Sequence, residues 1–405
     1  MPSTTTPAEQ TIPAETLAAT VQDVVEGVEF IDVHTHLFPA GFGPLALWGI
    51  DELLTYHYLE AELFRSSEIT PEQYWRLDKT DRADLIWKTL FVENLPISEA
   101  TRGVIAVLRA LGLCTSTGSL KPIREFFRAQ RLEDHISRVF RIAGVRSVVM
   151  TNDPLDPDEA PSWKELLSVD ARFRTALRLD RILNSEEQRS AVEVRRLLDE
   201  WARRLRPVYM AVSLPDSFRF PDDDPRTRLL TDAVLPACRD LRIPLALMIG
   251  VRRQVNPAIR LAGDGVGRAD LRAVEALCRD YPENRFLVSV LSRENQHELC
   301  VLARKFAALM PFGCWWFLNN PSIVEEVTRE RIEMLGASFI PQHSDARILE
   351  QLIYKWRNTR RTIAPLLAQT YERLINDGGL VSRADIERDV SRLFRGNFER
   401  FCGLS

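Results

Sequence analysis

The sequence predicts an α/β protein whose core is a (β/α)₈ TIM barrel, and three observations lead to this fold class. Eight short apolar runs, rich in β-branched residues, are spaced along the 405-residue chain. The runs are continuously apolar, which is typical of strands that are covered on both faces in parallel sheets. Between most of them lie amphipathic helical stretches. Strands that alternate with helices in this way favour a closed barrel, with an open doubly wound sheet as the alternative.

Most of the predicted strands end in polar or charged residues. In barrels of this kind the carboxyl ends of the strands surround the active site, so these residues are the first candidates for function. The strands are predicted over Phe30–His36, Ser147–Asp153, Thr175–Asp180, Val208–Leu214, Pro244–Gly250, Phe286–Ser292, Cys314–Asn319 and Ser338–Asp345.

The connection between the first two predicted strands is about 110 residues long, too long for a structureless loop in a compact domain. Its apolar periodicity predicts a helical insertion over residues 51–143 that covers the top of the barrel. Residues 346–401 predict two or three closing helices. Residues 1–27 are predicted to be a flexible N-terminal segment, and residues 28–405 a single domain that includes the insertion.

Composition excludes several classes of function. The formal net charge of -4 gives no signature of polyanion binding, so we do not expect nucleic acid as a partner. No apolar stretch approaches the roughly 18 to 20 residues that cross a bilayer, so we expect no membrane association, and no secretory signal is present. The six cysteines have no CxxC spacing, which indicates reduced thiols in a cytoplasmic protein.

The first predicted strand carries two histidines in an HxH pattern. Alternate side chains of a strand share a face, so His34 and His36 point the same way. Their neutral imidazole nitrogens suit a divalent cation such as zinc, manganese, iron or nickel. An HxH pattern alone is a weak signal, but its position at the end of the first strand favours a metal site.

The eighth predicted strand supplies a third candidate ligand, Asp345, at its carboxyl end. This carboxylate can complete a three-ligand site with positions left open, act as a general base, or cap the following helix. His343 lies on the same face of the predicted strand as Asp345. Three roles are open for it: a further metal ligand, a donor that hydrogen-bonds to one of the ligands, or a packed core histidine. The fourth predicted strand lacks lysine and the fifth lacks histidine, which favours a single metal ion.

Together these residues resemble the uronate isomerases (glucuronate isomerases), a divergent branch of the amidohydrolase superfamily, from Phe30 to Phe401. Each matching segment is short, and their order along the predicted strand ends makes the resemblance specific. The segments are Asp32-Val33-His34-Thr35-His36-Leu37, His57-Tyr58, Thr151-Asn152-Asp153-Pro154, Arg178-Leu179-Asp180-Arg181, Ile249-Gly250-Val251-Arg252-Arg253, Cys314-Trp315-Trp316-Phe317 and Ser344-Asp345-Ala346-Arg347.

The resemblance implies an amidohydrolase-type barrel that isomerises a hexuronate, as D-glucuronate to D-fructuronate, through an enediol. One divalent metal, zinc before manganese, iron or nickel, would be held by His34, His36 and Asp345. Asp345 would also serve as the base near C2. His57 and Tyr58 would be catalytic, assisting ring opening or protonating an oxygen.

The resemblance also implies how a sugar acid would be held. Arginine can clamp a carboxylate with two parallel hydrogen bonds, although Arg178 and Arg347 could instead form structural salt bridges. The substrate-binding residues would be Arg178, Arg347, Asp153, Trp316 and Arg253.

One departure from the family pattern concerns Met248, which stands where the family motif HIGxxR has a histidine. A thioether does not move protons, so that role is lost or transferred, for example to His343. Two other functions therefore stay open: a mononuclear metal hydrolase (a lactonase or deaminase), and a non-catalytic protein that binds sugar acids. The expected partners are a small-molecule substrate and a second copy of the chain, docked through the insertion.

Overall fold

The computed structural model describes residues 11–165, 170–185 and 189–404. Its centre is a curled parallel sheet of seven strands, in which each strand pairs with the next along the chain; β6 lies outside this order and pairs antiparallel with β5. The strands are β1 Phe30–Thr35, β2 Val145–Asn152, β3 Phe173–Arg178, β4 Met210–Pro215, β5 Leu245–Arg252, β6 Gly265–Val266, β7 Phe286–Val290 and β8 Leu309–Pro311. The predicted α/β class with a parallel sheet is confirmed.

Helices connect the strands and cover the sheet. Among the described residues, no helix is both long and apolar enough to cross a membrane. The helices are α1 Ala14–Gly27, α2 Ile50–Leu54, α3 His57–Ser66, α4 Pro71–Arg76, α5 Lys79–Trp87, α6 Glu99–Leu111, α7 Lys121–Arg128, α8 Leu132–Ala143, α9 Ala160–Glu165, α10 Asp180–Leu183, α11 Ala191–Leu205, α12 Pro225–Leu229, α13 Leu235–Leu241, α14 Arg272–Asp280, α15 Gln296–Ala303, α16 Pro321–Leu335, α17 Gln351–Asn376, α18 Arg383–Ser391 and α19 Asn397–Cys402.

The segment predicted as the eighth strand, residues 338–345, makes only one isolated strand bridge, between Phe312 and Ile340. Pro341 follows at once and has no backbone N–H to continue a ladder. Backbone hydrogen bonds nevertheless join this segment to β8 on one side and to the end of β1 on the other. They are Ile340 N to Pro311 O at 3.0 Å, Asp345 N to His34 O at 3.1 Å and His36 N to Ala346 O at 2.7 Å.

The prediction of a seventh strand over Cys314–Asn319 is wrong. The strand in this place is the earlier β8, and the chain leaves the sheet at Gly313, where φ is +68°. A Cβ atom at Gly313 would lie 2.1 Å from the His343 ring, so only glycine fits. Trp316 also has a positive φ of +46°, and residues Trp316–Leu318 form a 3-10 helix. The apolar, aromatic run over Cys314–Asn319 therefore forms a turn at the edge of the sheet and not a strand.

The prediction of a flexible segment over residues 1–27 is wrong for residues 14–27, which form α1. Leu17, Val21 and Val25 are buried, and the helix packs against α17. Their spacing of four residues is the apolar stripe of an amphipathic helix, which the Thr- and Pro-rich residues before it obscured. Residues 1–10 lie outside the described residues.

The predicted insertion over residues 51–143 is helical and contains helices α2 to α8. Its helix α3 begins at His57 and carries Glu60, which is buried and accepts a hydrogen bond of 2.9 Å from the Tyr74 hydroxyl. Arg82 lies 3.6 Å from the same carboxylate. A buried carboxylate therefore anchors the helix that bears His57 and Tyr58.

We expect the variant Glu60→Gln to remove part of the pH dependence of stability. Burial raises the pKa of Glu60, although Tyr74 and Arg82 partly oppose this effect. Because the pKa of Glu60 is higher in the folded state than in the unfolded state, the protonated carboxyl contributes stability that is fully present below the unfolded-state pKa. This stability is lost as the pH rises through the folded-state pKa. Urea unfolding from pH 4 to 8 should show that the variant gains stability, relative to the original protein, as the pH rises. A constant difference would contradict this prediction; Glu72→Gln, at an exposed position, is the control.

Candidate metal centre and substrate cavity

The end of β1 and the segment before α17 bring three candidate ligands together. The Nε2 atoms of His34 and His36 lie 3.7 and 3.3 Å from Oδ1 of Asp345, and the three ligand atoms lie within 4.8 Å of one another. Ligand atoms bound to one zinc ion at about 2.0–2.2 Å are roughly 3–4 Å apart. Among the described residues, Asp345 Oδ1 has no hydrogen-bond partner. The cluster therefore suits one divalent ion.

Asp345 is held in a backbone conformation that non-glycine residues seldom adopt. Its φ is +52°, in the left-handed region. The N–H of the preceding Ser344 donates to Asp32 Oδ1 at 3.0 Å, and the Asn319 amide donates to the His343 carbonyl at 3.2 Å. Strain of this kind persists only where neighbouring contacts fix it, and here those contacts aim the carboxylate at the two imidazoles.

The charges of the cluster fit metal binding. Burial, assisted by the nearby Arg347 charge, lowers the pKa of His36 to about 4. Burial likewise lowers the pKa of His34 well below its ordinary value. For Asp345, burial raises the pKa, but His36 and His34 outweigh it and bring the pKa below its usual range. At neutral pH the histidines are neutral and Asp345 is ionised, which is the protonation state that metal ligands require.

A narrow cavity, here called the inner pocket, surrounds the cluster. Its volume of about 20 Å³ has room for about one water molecule or ion. One part of its wall is apolar, formed by Met248, Trp315, Trp316, Ala211 and Val212. The polar part comes from the three ligands together with Thr151, Arg178, Asp180, Ser213, Arg253 and Arg347.

The inner pocket opens into a larger cavity of about 920 Å³, here called the outer cleft. The outer cleft is large enough for a sugar acid, and the junction of the two cavities is rich in charge. The residues that line both cavities are His36, Thr151, Arg178, Asp180, Arg253 and Arg347.

The arginines at this junction differ in what they bind. The Arg178 guanidinium is paired with Asp180 through Nε–Oδ2 and Nη2–Oδ1 contacts of 2.9 and 3.1 Å. Arg178 therefore forms the structural salt bridge that the sequence left open as an alternative. Arg253 Nη1 donates to Asp264 at 2.6 Å. In the part of the chain that the structure describes, the Arg347 guanidinium has no ion pair or hydrogen bond. Of these three arginines, Arg347 is therefore the one whose guanidinium is available to an anionic ligand.

Comparison with solved structures identifies the family. The chain is similar to the crystal structure of a uronate isomerase from Bacillus halodurans, with 49% identity over 97% of each chain and a TM-score of 0.94. The chain belongs to the uronate isomerase family. This finding confirms the resemblance that the sequence motifs indicated.

Two further uronate isomerase structures share the fold at low identity. The first is a uronate isomerase from Thermotoga maritima, with 14% identity over 95% of this chain and 97% of that chain. The second is a glucuronate isomerase from Caulobacter crescentus, with 15% identity over 99% of this chain and 97% of that chain. Both have a TM-score of 0.74. A proposed metal-dependent hydrolase from Lactobacillus casei is more distant, with 14% identity over 95% and 97% and a TM-score of 0.55. No protein-family model and no curated protein matches the chain.

In this member of the uronate isomerase family, His57 and Tyr58 lie behind the cavity wall. Among the described residues that line either cavity, neither is present. The His57 ring packs edge-on against Trp316, with ring centroids 5.7 Å apart, and its Nε2 atom is buried with no partner among the described residues. Burial lowers the pKa of His57 to about 3. Their predicted catalytic roles stay predictions.

Two other predicted positions are placed more simply. Asp153 lines the outer cleft, where its Oδ2 atom lies 3.1 Å from Nε of Arg181. His343 is buried between the rings of His34 and Phe312, with both centroid distances 5.1 Å. It lies outside the ligand cluster, and both of its ring nitrogens are buried without a partner among the described residues, so the three alternatives for this residue stay open.

Sequence reasoning gave no role to two hydroxyl groups that contact the candidate ligands. Tyr209 Oη lies 3.2 Å from His34 Nδ1, and Thr151 Oγ1 lies 3.1 Å from His36 Nδ1. Thr151 could have been found from its position at the end of the second predicted strand. Tyr209 gave no such signal, because it lies at the start of the fourth predicted strand.

Proposed function

We propose that this protein isomerises a hexuronate between its aldose and ketose forms, as D-glucuronate to D-fructuronate. The observation that carries the proposal is Arg347, whose guanidinium has no described partner and lines the same pocket as the His34, His36 and Asp345 cluster. Identity of 49% to a uronate isomerase supports the same substrate class. A carboxylate held at Arg347 would place the other end of the sugar acid at the cluster.

The proposal includes one divalent metal, held by His34, His36 and Asp345. Two imidazoles and a carboxylate are ligands that zinc accepts, and manganese, iron and nickel bind the same set. When bound, such an ion acts as a Lewis acid that polarises the sugar oxygens.

The protein residues would handle the substrate as follows. Arg347, with Arg178 beside it, binds the carboxylate. The Asp345 carboxylate takes the proton from C2 and returns it to C1, while a second proton passes from the C2 hydroxyl to the C1 oxygen. Burial raises the pKa of Tyr58 well above its ordinary value, so this hydroxyl stays protonated and is a donor. Roles for Tyr58 and His57 at the sugar oxygens stay predictions, because neither side chain lines the inner pocket or the outer cleft.

The polar and apolar walls would have separate tasks. Trp316 lines the inner pocket, where its indole would contact the C–H groups of the sugar. Arg253 and Asp153 lie further out, at the junction and in the outer cleft, where they would contact hydroxyl groups. These assignments complete the proposed substrate site.

We expect metal-loaded protein to isomerise a hexuronate and to exchange deuterium from solvent into the carbon next to the carbonyl. Removal of the metal with a chelator should abolish both signals, and zinc should restore them. The measurement is a panel of hexuronates followed by NMR, with neutral hexoses as matched controls that lack the carboxylate. Metal-containing protein that exchanges none of the hexuronates would contradict the proposal and favour the hydrolase alternative, to be tested with lactones and amidines.

Three broader features belong to the same proposal. Residues 28–405 would form a single domain whose sheet closes as a (β/α)₈ barrel, supported by the backbone hydrogen bonds from residues 340–346 to both neighbouring segments. The six cysteines are free thiols, in keeping with the predicted cytoplasmic location. Assembly of two or more copies through the insertion stays a prediction from its helices.

A further inference from the structure

We propose that Tyr209 and Thr151 are positioning residues that fix the tautomers of the two candidate metal-binding histidines. The inference rests on the proposed metal site, and it concerns two side chains from separate parts of the chain. Thr151 lies on β2, and Tyr209 immediately precedes β4. Each hydroxyl contacts the Nδ1 atom of one histidine, on the side of the ring away from Asp345.

The Tyr209 hydroxyl has two neighbours and one hydrogen. Its Oη atom lies 2.7 Å from the Val33 carbonyl oxygen, which can only accept, so the hydrogen lies between them. A tyrosine phenol keeps its hydrogen at neutral pH. Only lone pairs of Oη are left for His34 Nδ1 at 3.2 Å, and Nδ1 must therefore carry the proton and donate.

The same arrangement occurs at the second histidine. Thr151 Oγ1 donates to the Thr35 carbonyl at 3.0 Å and lies 3.1 Å from His36 Nδ1. In both cases the hydroxyl bridges a histidine ring to the carbonyl of the residue just before that histidine. The repetition, at two separate places in the chain and with two different residue types, argues against a chance contact.

The consequence is that both Nε2 atoms present a lone pair to Asp345, where the metal would bind. A histidine whose remaining ring N–H is oriented by a fixed acceptor is a better-defined ligand, because its tautomer and ring angle are set beforehand. The acceptors here are neutral hydroxyls rather than carboxylates. A divalent ion with one carboxylate and two neutral imidazoles keeps a net charge of +1, which favours an electrophilic role.

The variants Tyr209→Phe and Thr151→Val test the metal side of this inference. Both retain the shape of the side chain, and the Tyr209 ring keeps its packing against Phe312. We expect each variant to weaken zinc binding about 10- to 100-fold in competition with a chromophoric chelator. Matched controls are Tyr371→Phe and Thr175→Val, which remove buried or half-buried hydroxyls that contact no histidine. Affinities unchanged from the original protein in both test variants would overturn the proposal.

A second measurement does not depend on metal. In metal-free protein labelled with ¹⁵N, long-range ¹H–¹⁵N spectra report which nitrogen of each ring carries the proton, and the chain has only six histidines to assign. We expect His34 and His36 to be protonated at Nδ1 and to lose this preference in the variants. Protonation at Nε2 in the original protein would overturn the proposal even if the isomerase activity holds. Nδ1 protonation of both histidines in a protein without isomerase activity would contradict only the proposed function.

Discussion

The variant Asp345→Asn is expected to lose zinc binding and to lower hexuronate turnover by about 10³-fold or more, because the one charged ligand and the proposed base are removed together. Asparagine is the sharpest replacement for two reasons. It retains the size of the side chain, and it tolerates the left-handed conformation that Asp345 adopts with a φ of +52° better than other residues do. The result therefore reports on the carboxylate charge and not on backbone strain.

The measurement for this variant has two parts, metal content after dialysis against zinc and the rate of deuterium exchange. The control is Asp199→Asn, which removes a surface carboxylate paired with Arg195 and should change neither quantity. Thermal unfolding without metal should be close to that of the original protein. Full exchange activity in Asp345→Asn would eliminate this residue as both ligand and base.

The variant Arg347→Met is expected to raise KM for a hexuronate by about 10² to 10³-fold, because a buried carboxylate loses its charged partner. Zinc affinity should stay the same, since Arg347 lies at the junction of the two cavities and is not a ligand. Arg347→Lys should retain the charge but lose the two-point geometry, and its KM should lie between the two.

The control for Arg347 is Arg329→Met, a substitution on the outer surface of α16. A neutral hexose that lacks the carboxylate provides a second comparison, because any residual binding of it should be insensitive to Arg347. An unchanged KM for hexuronates in Arg347→Met would move the carboxylate site elsewhere, with Arg178 the first alternative.

The candidate metal cluster could be predicted from sequence because its three residues lie where the first and last predicted strands end. His34 and His36 share a face by simple alternation, and Asp345 follows an apolar run. Such features depend on local order along the chain. The fold class was predictable for the same reason, since alternating apolar runs and helical stretches are local patterns.

What could not be predicted depends on contacts between distant segments. Arg178 and Arg347 read alike in sequence, but only the folded chain places Asp180 against Arg178 and leaves Arg347 without a described partner. Tyr209 reads as a core aromatic, and its hydroxyl reaches His34 only because the folded chain brings the residue before β4 against the end of β1. The seventh strand was misplaced because an aromatic run ends in a turn as readily as in a strand when Gly313 precedes it.

The substitution of methionine for the family histidine at position 248 changes the wall and not the cluster. Met248 packs with Val251, Leu291, Trp315 and Trp316 in a small buried apolar group. The same side chain lines the inner pocket, where its thioether cannot move a proton as a histidine can. The position is therefore part of an apolar surface beside the candidate metal centre.

The joining of residues 34–36 to residue 345 has a consequence for how the protein is made. The carboxylate follows the second histidine by 309 positions (345 − 36) in the chain. At a synthesis rate of about 5–20 residues per second, the histidine pair waits roughly 15–60 s for its third ligand. Until Asp345 is synthesised, the nascent chain provides two neutral imidazoles but no carboxylate for the proposed ion. Tight binding of the proposed ion is expected only after the segment with Asp345 docks beside β1. The bound ion would then cross-link the two ends of the sheet.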